Sequence, residues 1–288
     1  MSISPTGLES SKSQEVTMPP QSRRLEHSAR PPLVRRPKAR AVLFPLGVFL
    51  LGIVAWYVVV EYGIVNEIIV PAPGDVWQAL IDLLDERFFW MSVQATLTET
   101  VYGFALGAGI GLALGAIIGS FTSARQMLYP LVIVFQNTPR IALAPIFLTW
   151  FGFGLASKVV MAAAIAFFPI AINTIVGLGA VSRDEELFMR SLGATRIQTF
   201  QHLTLPTAAP YVAAGLKTAM TLALLGAIVA EFVGATRGLG VLIQQFNFEL
   251  NVDYGFAVLV FLAVAGLALY GIVELIDRKV IFWRTRDE

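Results

Sequence analysis

Covalent chemistry has few candidates in this 288-residue sequence. It contains no cysteine, and its two histidines, His27 and His202, lie far apart. That leaves no thiolate metal site, no disulfide framework and no histidine relay for a nucleophile, so neither a catalytic centre nor a metal site is expected. What remains is charge in apolar surroundings. In FQNTPRIALAP (135–145), Asn137, Pro139, Arg140 and Pro145 interrupt an apolar run, and Glu99, Lys217 and Glu231 stand inside others. Proline removes a backbone donor and bends a helix. Arginine in hydrocarbon is expensive unless it meets a partner or a wet cavity. Two roles fit Arg140 evenly. It is a packing clamp that snorkels or pairs with Glu231 or Glu99, or it lines a path, formed with Asn137, Pro139 and Glu231, that favours an anionic or electron-rich solute. Lys217 and Glu231 each lie close enough to a helix end to snorkel.

A second polar stretch, RSLGATRIQTFQHLTLPTAAP, runs from Arg190 to Pro210 between two long apolar runs. Just upstream, Ser182 with Glu185 three residues on is a capping-box pattern, so a helix is expected to run to Leu192. Gly193 permits a sharp change of direction. Thr195 then caps a second short helix, Arg196 to about Leu203, which should stop near Pro206. The product is two short helices at an angle, exposing Leu187, Phe188 and Ile197 among Arg190 and Arg196. Apolar groups rimmed by charge suit a partner surface; the competing reading is a helix lying on anionic lipid.

The elements that must position these residues follow from composition. Hydrophobic residues make up 56% and charged residues 14%, with a mean hydropathy of +0.69. Soluble domains carry about 25% charged residues, so the chain reads as an all-α polytopic membrane protein. Residues 1–40, rich in Ser, Pro and Arg, read as a disordered tail, and residues 41–288 as the transmembrane domain. No apolar run closely follows the basic start, as a signal peptide would require. Six segments reach the length of about 20 apolar residues needed to span: 41–60, 97–119, 128–150, 158–180, 208–233 and 255–276. Of the 21 Lys and Arg, 16 fall on one side when the segments alternate, three (Arg87, Lys158 and Arg237) on the other, and Arg140 and Lys217 within apolar runs. Basic loops stay inside, which places both termini and the loop 182–206 in the cytoplasm. Between the first two spans, Val76, Leu80, Leu83 and Leu84 recur at helical spacing behind Asp75, a candidate cap, and predict an amphipathic surface helix. Gly103, Gly107, Gly111, Gly115 and Gly119 recur every fourth residue along the second span, a face built for close helix packing, within the chain or across a dimer seam.

The polar loop also carries a resemblance. Gly193, nine residues, then Leu203-x-Leu205-Pro206 is similar to the coupling loop of ABC importer permeases, whose pattern is Glu-Ala-Ala-x-x-x-Gly-x9-Ile-x-Leu-Pro. VPAPGDVWQAL, LAPIFLTWFGFG, FFPIAINTIVGL, AAPYVAAGLKTAM and VAEFVGATRGLGVLI extend it over about residues 70–288. Together these resemble the nitrate/sulfonate/taurine branch, which includes permeases for pyrimidine-type thiamine precursors. The departure is at the acidic position: Leu187, Phe188 and Met189 stand where the family has Glu-Ala-Ala, with Glu186 one residue early. Docking through apolar groups, or through Glu186, is the expectation.

The resemblance implies a permease subunit of the bacterial inner membrane, paired with a second copy or with a similar chain. It would work with two cytoplasmic ATPase subunits and an extracytoplasmic binding protein, with Glu186, Leu187, Phe188, Arg190, Gly193, Ala194, Arg196, Leu205 and Pro206 forming the ATPase-docking loop. ATP and Mg2+ would sit on the partner, and no cofactor or nucleic acid is expected on this chain. In keeping with this, the sequence has no G-x-x-x-x-G-K-[ST], and GFGLASK (152–158) has the wrong spacing to cradle phosphates. A secondary transporter or channel without ATP would also explain the spans and the broken third helix. It gives no reason for the glycine-to-proline loop.

Overall fold

The computed structural model describes residues 39–66 and 69–281, and every regular element among the described residues is a helix. The tail expected over 1–40 lies outside the described residues except for its last two positions, which open α1 (Ala39–Glu61). Residues up to Leu51 and from Gly52 onward form separate compact units. In the first, the described large side chains of α1, among them Phe44 and Phe49, are exposed.

The second unit holds α2 (Pro73–Asp85), α3 (Arg87–Ser120), α4 (Thr122–Gln136), α5 (Ala144–Phe151), α6 (Leu155–Leu178), α7 (Arg183–Ser191), α8 (Arg196–Thr199), α9 (Leu205–Gly234), α10 (Leu239–Phe248) and α11 (Val252–Val280). Among the described residues, four helical stretches are long and apolar enough to cross a membrane: α3, α6, Arg196–Gly234 and α11. A fifth crossing is present if α4 and Arg140–Phe151, bent by 82° at Asn137–Pro139, are taken as one broken span. The apolar stretch of α1, Gly47–Glu61, is shorter than these. Of the six expected spans, the first is thus a shorter helix and the third a sharply bent pair.

Small residues build the core. The glycines of α3 face α6 turn for turn. A β-carbon on Gly107, Gly111 or Gly115 would stand 2.7 Å, 2.9 Å and 2.9 Å from the carbonyl oxygens of Ala163, Phe167 and Ala171. The stripe therefore packs within the chain. Behind it Ala162, Ala166 and Ile170 of α6 meet Ala219, Ala223 and Ala227 of α9, all fully buried. Lipid offers no hydrophobic push between helices, so backbone proximity and dispersion must hold them together. Around α2 a more conventional cluster forms from Val76, Ala79, Leu83, Phe89, Val258 and Leu262. α2 starts differently from expectation: Ala72 is its N-cap without a side-chain hydrogen bond, Pro73 opens it, and Asp75 sits in its first turn. Proline at the first position needs no donor and already has helical φ, so no cap is required.

Lys217 of α9 does not reach an interface alone. It pairs with Glu274 and, at 2.5 Å, with Asp277 of α11, while Arg278 bonds Glu274 at 2.8 Å. This four-residue network clamps α9 and α11 together.

The glycine register gives a signed prediction. Gly107→Ala and Gly111→Ala should each destabilise the solubilised chain by about 1–3 kcal/mol through overpacking. Gly109→Ala, whose β-carbon would meet nothing within 4 Å, should be neutral or slightly stabilising through helix propensity. Thermal unfolding in detergent reads both.

Candidate functional site

The loop between α6 and α9 is tied up by local hydrogen bonds. Ser182 N–H donates to Glu185 Oε2 at 2.8 Å, and Glu185 N–H donates back to Ser182 Oγ at 3.3 Å, a complete capping box. The backbone N–H and hydroxyl of Ser182 hold the Glu185 carboxyl below its ordinary range. At the other end of α7, Gly193 N–H reaches Arg190 O (3.0 Å) and Ala194 N–H reaches Met189 O (3.1 Å), with Gly193 at φ +76°. This is a Schellman ending, which requires the left-handed conformation that glycine adopts freely. A second capping box follows at once: Thr195 N–H to Gln198 Oε1 at 2.8 Å and Gln198 N–H to Thr195 Oγ1 at 3.3 Å.

The second helix does not stop at Pro206, contrary to expectation. α8 passes through a π-helical turn, Phe200–Thr204, directly into α9, so Arg196–Gly234 is one continuous run of 39 residues. The physical reason lies in the π turn. Leu205 N–H bonds Phe200 O, five residues back, and the extra residue absorbs the donor that Pro206 lacks, as inserted turns of this kind do. Leu187, Phe188, Leu192 and Ile197 project into open space, Phe188 at 63% and Ile197 at 70% exposure. Glu186, Arg190, Gly193, Arg196 and Leu205 are exposed, and Ala194 and Pro206 half-buried.

The broken span resolves what Arg140 touches. Asn137 ends α4, its side chain donating to Ile133 O at 2.9 Å, and a 3-10 turn, Arg140–Leu143, leads into α5. Arg140 Nη1 donates to Ile165 O at 3.3 Å, and its guanidinium lies 5.0 Å from the Phe168 ring centre. Ile165 stands four residues before Pro169, a proline inside α6. Its carbonyl therefore lacks its helical donor, and Arg140 supplies one. Asn137 and Pro139 are exposed and Arg140 half-buried.

Glu231 lies elsewhere and meets neither Arg140 nor open space. It is 1% exposed. Its Oε1 accepts from Thr96 Oγ1 at 2.5 Å and its Oε2 from Gly240 N–H at 2.6 Å, while Leu239 N–H donates to Thr96 Oγ1 at 2.8 Å. These groups satisfy the buried first turn of α10. Gly238 and Gly240 lie against the carboxylate, where a side chain would collide with it. Glu99, also buried, lies near the Glu231 carboxyl, and its Oε2 has no hydrogen-bond partner. Lys158, counted from sequence as an outer-loop charge, is 4% exposed and donates to Phe153 O at 2.5 Å and Gly154 O at 3.1 Å. The structure thus separates Glu231 from Asn137, Pro139 and Arg140. Sequence reasoning missed Thr96; its place three residues before Glu99, on the same helix face, was the available signal. Among the described residues, no group of three or more His, Cys, Asp or Glu side chains could hold a metal.

Long apolar helices packed on small residues, a break carrying a polar cluster, and an exposed two-helix loop continuous with a spanning helix define a membrane permease. The chain matches the family described as "Binding-protein-dependent transport system inner membrane component" over residues 107–282 and belongs to it, the inner-membrane permease subunits of ABC importers, whose ATPase is a separate subunit. It is 32% identical to the formylaminopyrimidine transport permease protein ThiX of Halalkalibacterium halodurans, covering 85% of this chain and 97% of that one. It is 34% identical to the riboflavin transport system permease protein RibX of Chloroflexus aurantiacus (84% and 90%), and 25% identical to the taurine transport system permease protein TauC of Escherichia coli (86% and 92%). In fold it is similar to a chain of the inward-facing MetNI methionine ABC transporter, with a TM-score of 0.54 and 23% identity over 69% of this chain and 96% of that one.

Two predictions follow from these geometries. Thr96→Val keeps shape but strands the Leu239 N–H and one Glu231 oxygen, and should cost about 1–3 kcal/mol, with faster hydrogen exchange at Leu239. The same change at Thr98, which is half-buried and bonds only Gln94 O, should cost far less. For α7, a depressed carboxyl contributes stability at neutral pH and loses it as pH falls through the folded value. Hydrogen exchange at 183–191 should therefore quicken below the ordinary carboxylate range beyond the intrinsic pH effect, and Glu185→Gln should abolish that dependence.

Proposed function

We propose that this chain is the transmembrane half of an ATP-driven importer and that residues 182–206 dock on its cytoplasmic ATPase. In this reading the chain crosses the membrane six times, α1 and the bent pair of α4 and α5 each counting once, with both termini in the cytoplasm. Two copies flank the path, and an extracytoplasmic binding protein hands solute to it. The observation that carries the proposal is the loop itself. Two capping boxes and a Schellman turn fix α7 and α8 at an angle, and α8 runs without interruption into α9. A push on Phe188 or Ile197 is thereby delivered to a helix about 58 Å long at 1.5 Å per residue.

The contact is apolar in its centre. Leu187, Phe188, Leu192 and Ile197 offer the surface, and Glu185 is engaged by Ser182, which leaves Glu186 as the acidic group nearest the family's glutamate position. Asn137, Pro139 and Arg140 line the path where the span bends, and the exposed part of the guanidinium favours a small anion or an electron-rich heterocycle. The sulfonate, taurine and formylaminopyrimidine permeases among the relatives support that solute class. Glu231 serves the path indirectly by holding α10 against α3.

The test is capture of the transport system's ATPase by the solubilised chain, wild type beside Gly193→Pro. Proline is locked near φ −65°, cannot adopt +76° and removes the N–H that reaches Arg190. Capture by wild type should fall at least about tenfold in the variant, an effect of roughly 1.4 kcal/mol or more. Failure of well-folded wild type to bind would overturn the proposal and return residues 182–206 to the role of a lipid-surface helix.

A further inference from the structure

The loop that joins α10 to α11 repeats the ending described at Gly193, but without the glycine. Leu250 N–H reaches Asn247 O (3.2 Å) and Asn251 N–H reaches Phe246 O (2.9 Å), the two bonds of a Schellman turn. The turn needs a left-handed residue, and Leu250 fills that place at φ +60°, the only non-glycine residue with positive φ among the described residues. A branched side chain is strained there, and such strain persists only where something outweighs it. Burial does not supply the reason, since Leu250 is 70% exposed. Phe248, two residues earlier, is 86% exposed, the highest value among the large hydrophobic side chains described. The turn beneath them is firm. Phe246 is buried with its ring centre 5.3 Å from that of Tyr254, and Glu249 accepts from Gln245 Nε2 and Asn251 Nδ2. Acidic groups gather at this end of α11. Glu249 lies between the two apolar side chains in sequence, Tyr254 donates to Asp82 Oδ2 of α2 at 3.2 Å, and Glu86 and Asp253 lie near the same hydroxyl. Among the described residues, the exposed basic side chains at this end are Arg87 and Arg237.

We propose that Phe248 and Leu250 are a paired anchor for a soluble extracytoplasmic protein, the binding protein of the reading above, which presents an apolar pocket rimmed by lysine or arginine. The partner's identity rests on the orientation and delivery proposed there; the outward anchor itself does not. Three occupants could cover two exposed apolar side chains, and charge chooses among them. A membrane anchor sets its apolar groups beside Lys or Arg, which meet anionic headgroups; here the neighbours are mostly acids. A second copy of the chain would set the same acids against one another across a twofold axis. A partner with a basic rim gains from both features, apolar side chains at the centre and opposite charge around them that steers its approach. The strained turn suits this role. It fixes two large side chains outward before the partner arrives, which lowers the ordering cost of docking.

The test uses the chain assembled with its ATPase in lipid nanodiscs, and the purified binding protein of the same transport system. Phe248→Ala should raise the Kd about tenfold or more, the size of an aromatic hot spot, and Phe248→Leu should recover part of the affinity. Leu250→Gly is the sharper variant, because it removes the side chain and relieves the left-handed strain at once. It should weaken binding by about threefold or more while thermal unfolding of the chain stays unchanged or rises. Glu86→Gln should slow association, and added salt should slow the wild type in the same way. Unchanged affinity in both Phe248→Ala and Leu250→Gly overturns the proposal. So does a lower unfolding temperature in Leu250→Gly, which would make the side chain a packing group. The native chain has no cysteine, so a fluorophore on Phe248→Cys reports what surrounds that position. Its emission should change when the binding protein is added; quenching by nitroxide-bearing lipid would mark a membrane anchor instead and overturn the assignment. Failure of wild type to bind the binding protein, in a preparation that captures the ATPase, would overturn the delivery reading and the partner assigned here together. Binding that ignores both variants overturns the anchor alone.

Discussion

A backbone group without a partner has no water to turn to at membrane depth, and each such group costs several kcal/mol. This constraint decides where the intramembrane charges of this chain sit. Pro169 frees the Ile165 carbonyl, and Arg140 donates to it. α10 begins in the interior, and Thr96 with Glu231 accepts from its first two N–H groups. The chain leaves α5 through Phe153 and Gly154, and Lys158 folds back onto their carbonyls. At each of these breaks a polar or charged side chain supplies the bond that the helix ladder cannot.

The same constraint links the break to the packing. A span bent by 82° cannot bury a continuous face, and α4 has no buried residue while α3, α6 and α9 share a core of glycine and alanine. Close approach makes those three helices one body. The bent pair is held by Arg140 on Ile165 and the Phe168 ring, and by Ala144 packed with Met161, Ile165 and Ala230. A helix such as α4, with no buried residue, has local opening energies below those of a packed core, and that is the property the proposed path requires of a movable wall.

Much of this was legible in the sequence. The apolar runs, the glycine stripe, the proline break and the Ser182–Glu185 box each act within one continuous segment of chain, and such local signals translate directly into structure. Pairings across helices were not legible. Arg140 was read evenly as a clamp that snorkels or pairs with Glu231 or Glu99 and as a path-lining group; its hydrogen bond goes to a carbonyl, a group that every residue carries and that only the proline four positions later marks as free. Pro206 was expected to end a helix, but the π turn before it absorbs the missing donor, and nothing in FQHLT announces a π turn. Lys158 was counted as a surface charge because its contacts with Phe153 and Gly154 depend on how the chain between α5 and α6 folds back.

The loop shows why rigidity and apolarity belong together there. A partner surface made of flexible side chains loses conformational freedom when it docks, and that loss subtracts from affinity. Here the backbone is ordered in advance by its own caps: Ser182 and Glu185, Thr195 and Gln198, and the Gly193 turn. Glu185 is spent on that ordering, while Glu186 beside it is exposed. In the proposed docking the apolar part of the contact comes from Leu187, Phe188, Leu192 and Ile197, whose exposure is a liability in an isolated chain. A preordered apolar knob transmits force without the screening and side-chain slack that weaken an exposed ion pair. In the proposed docking, Leu187-Phe188-Met189 in place of an acidic start thus trades an electrostatic grip for a mechanical one, beside a helix, Arg196–Gly234, that continues unbroken into the core.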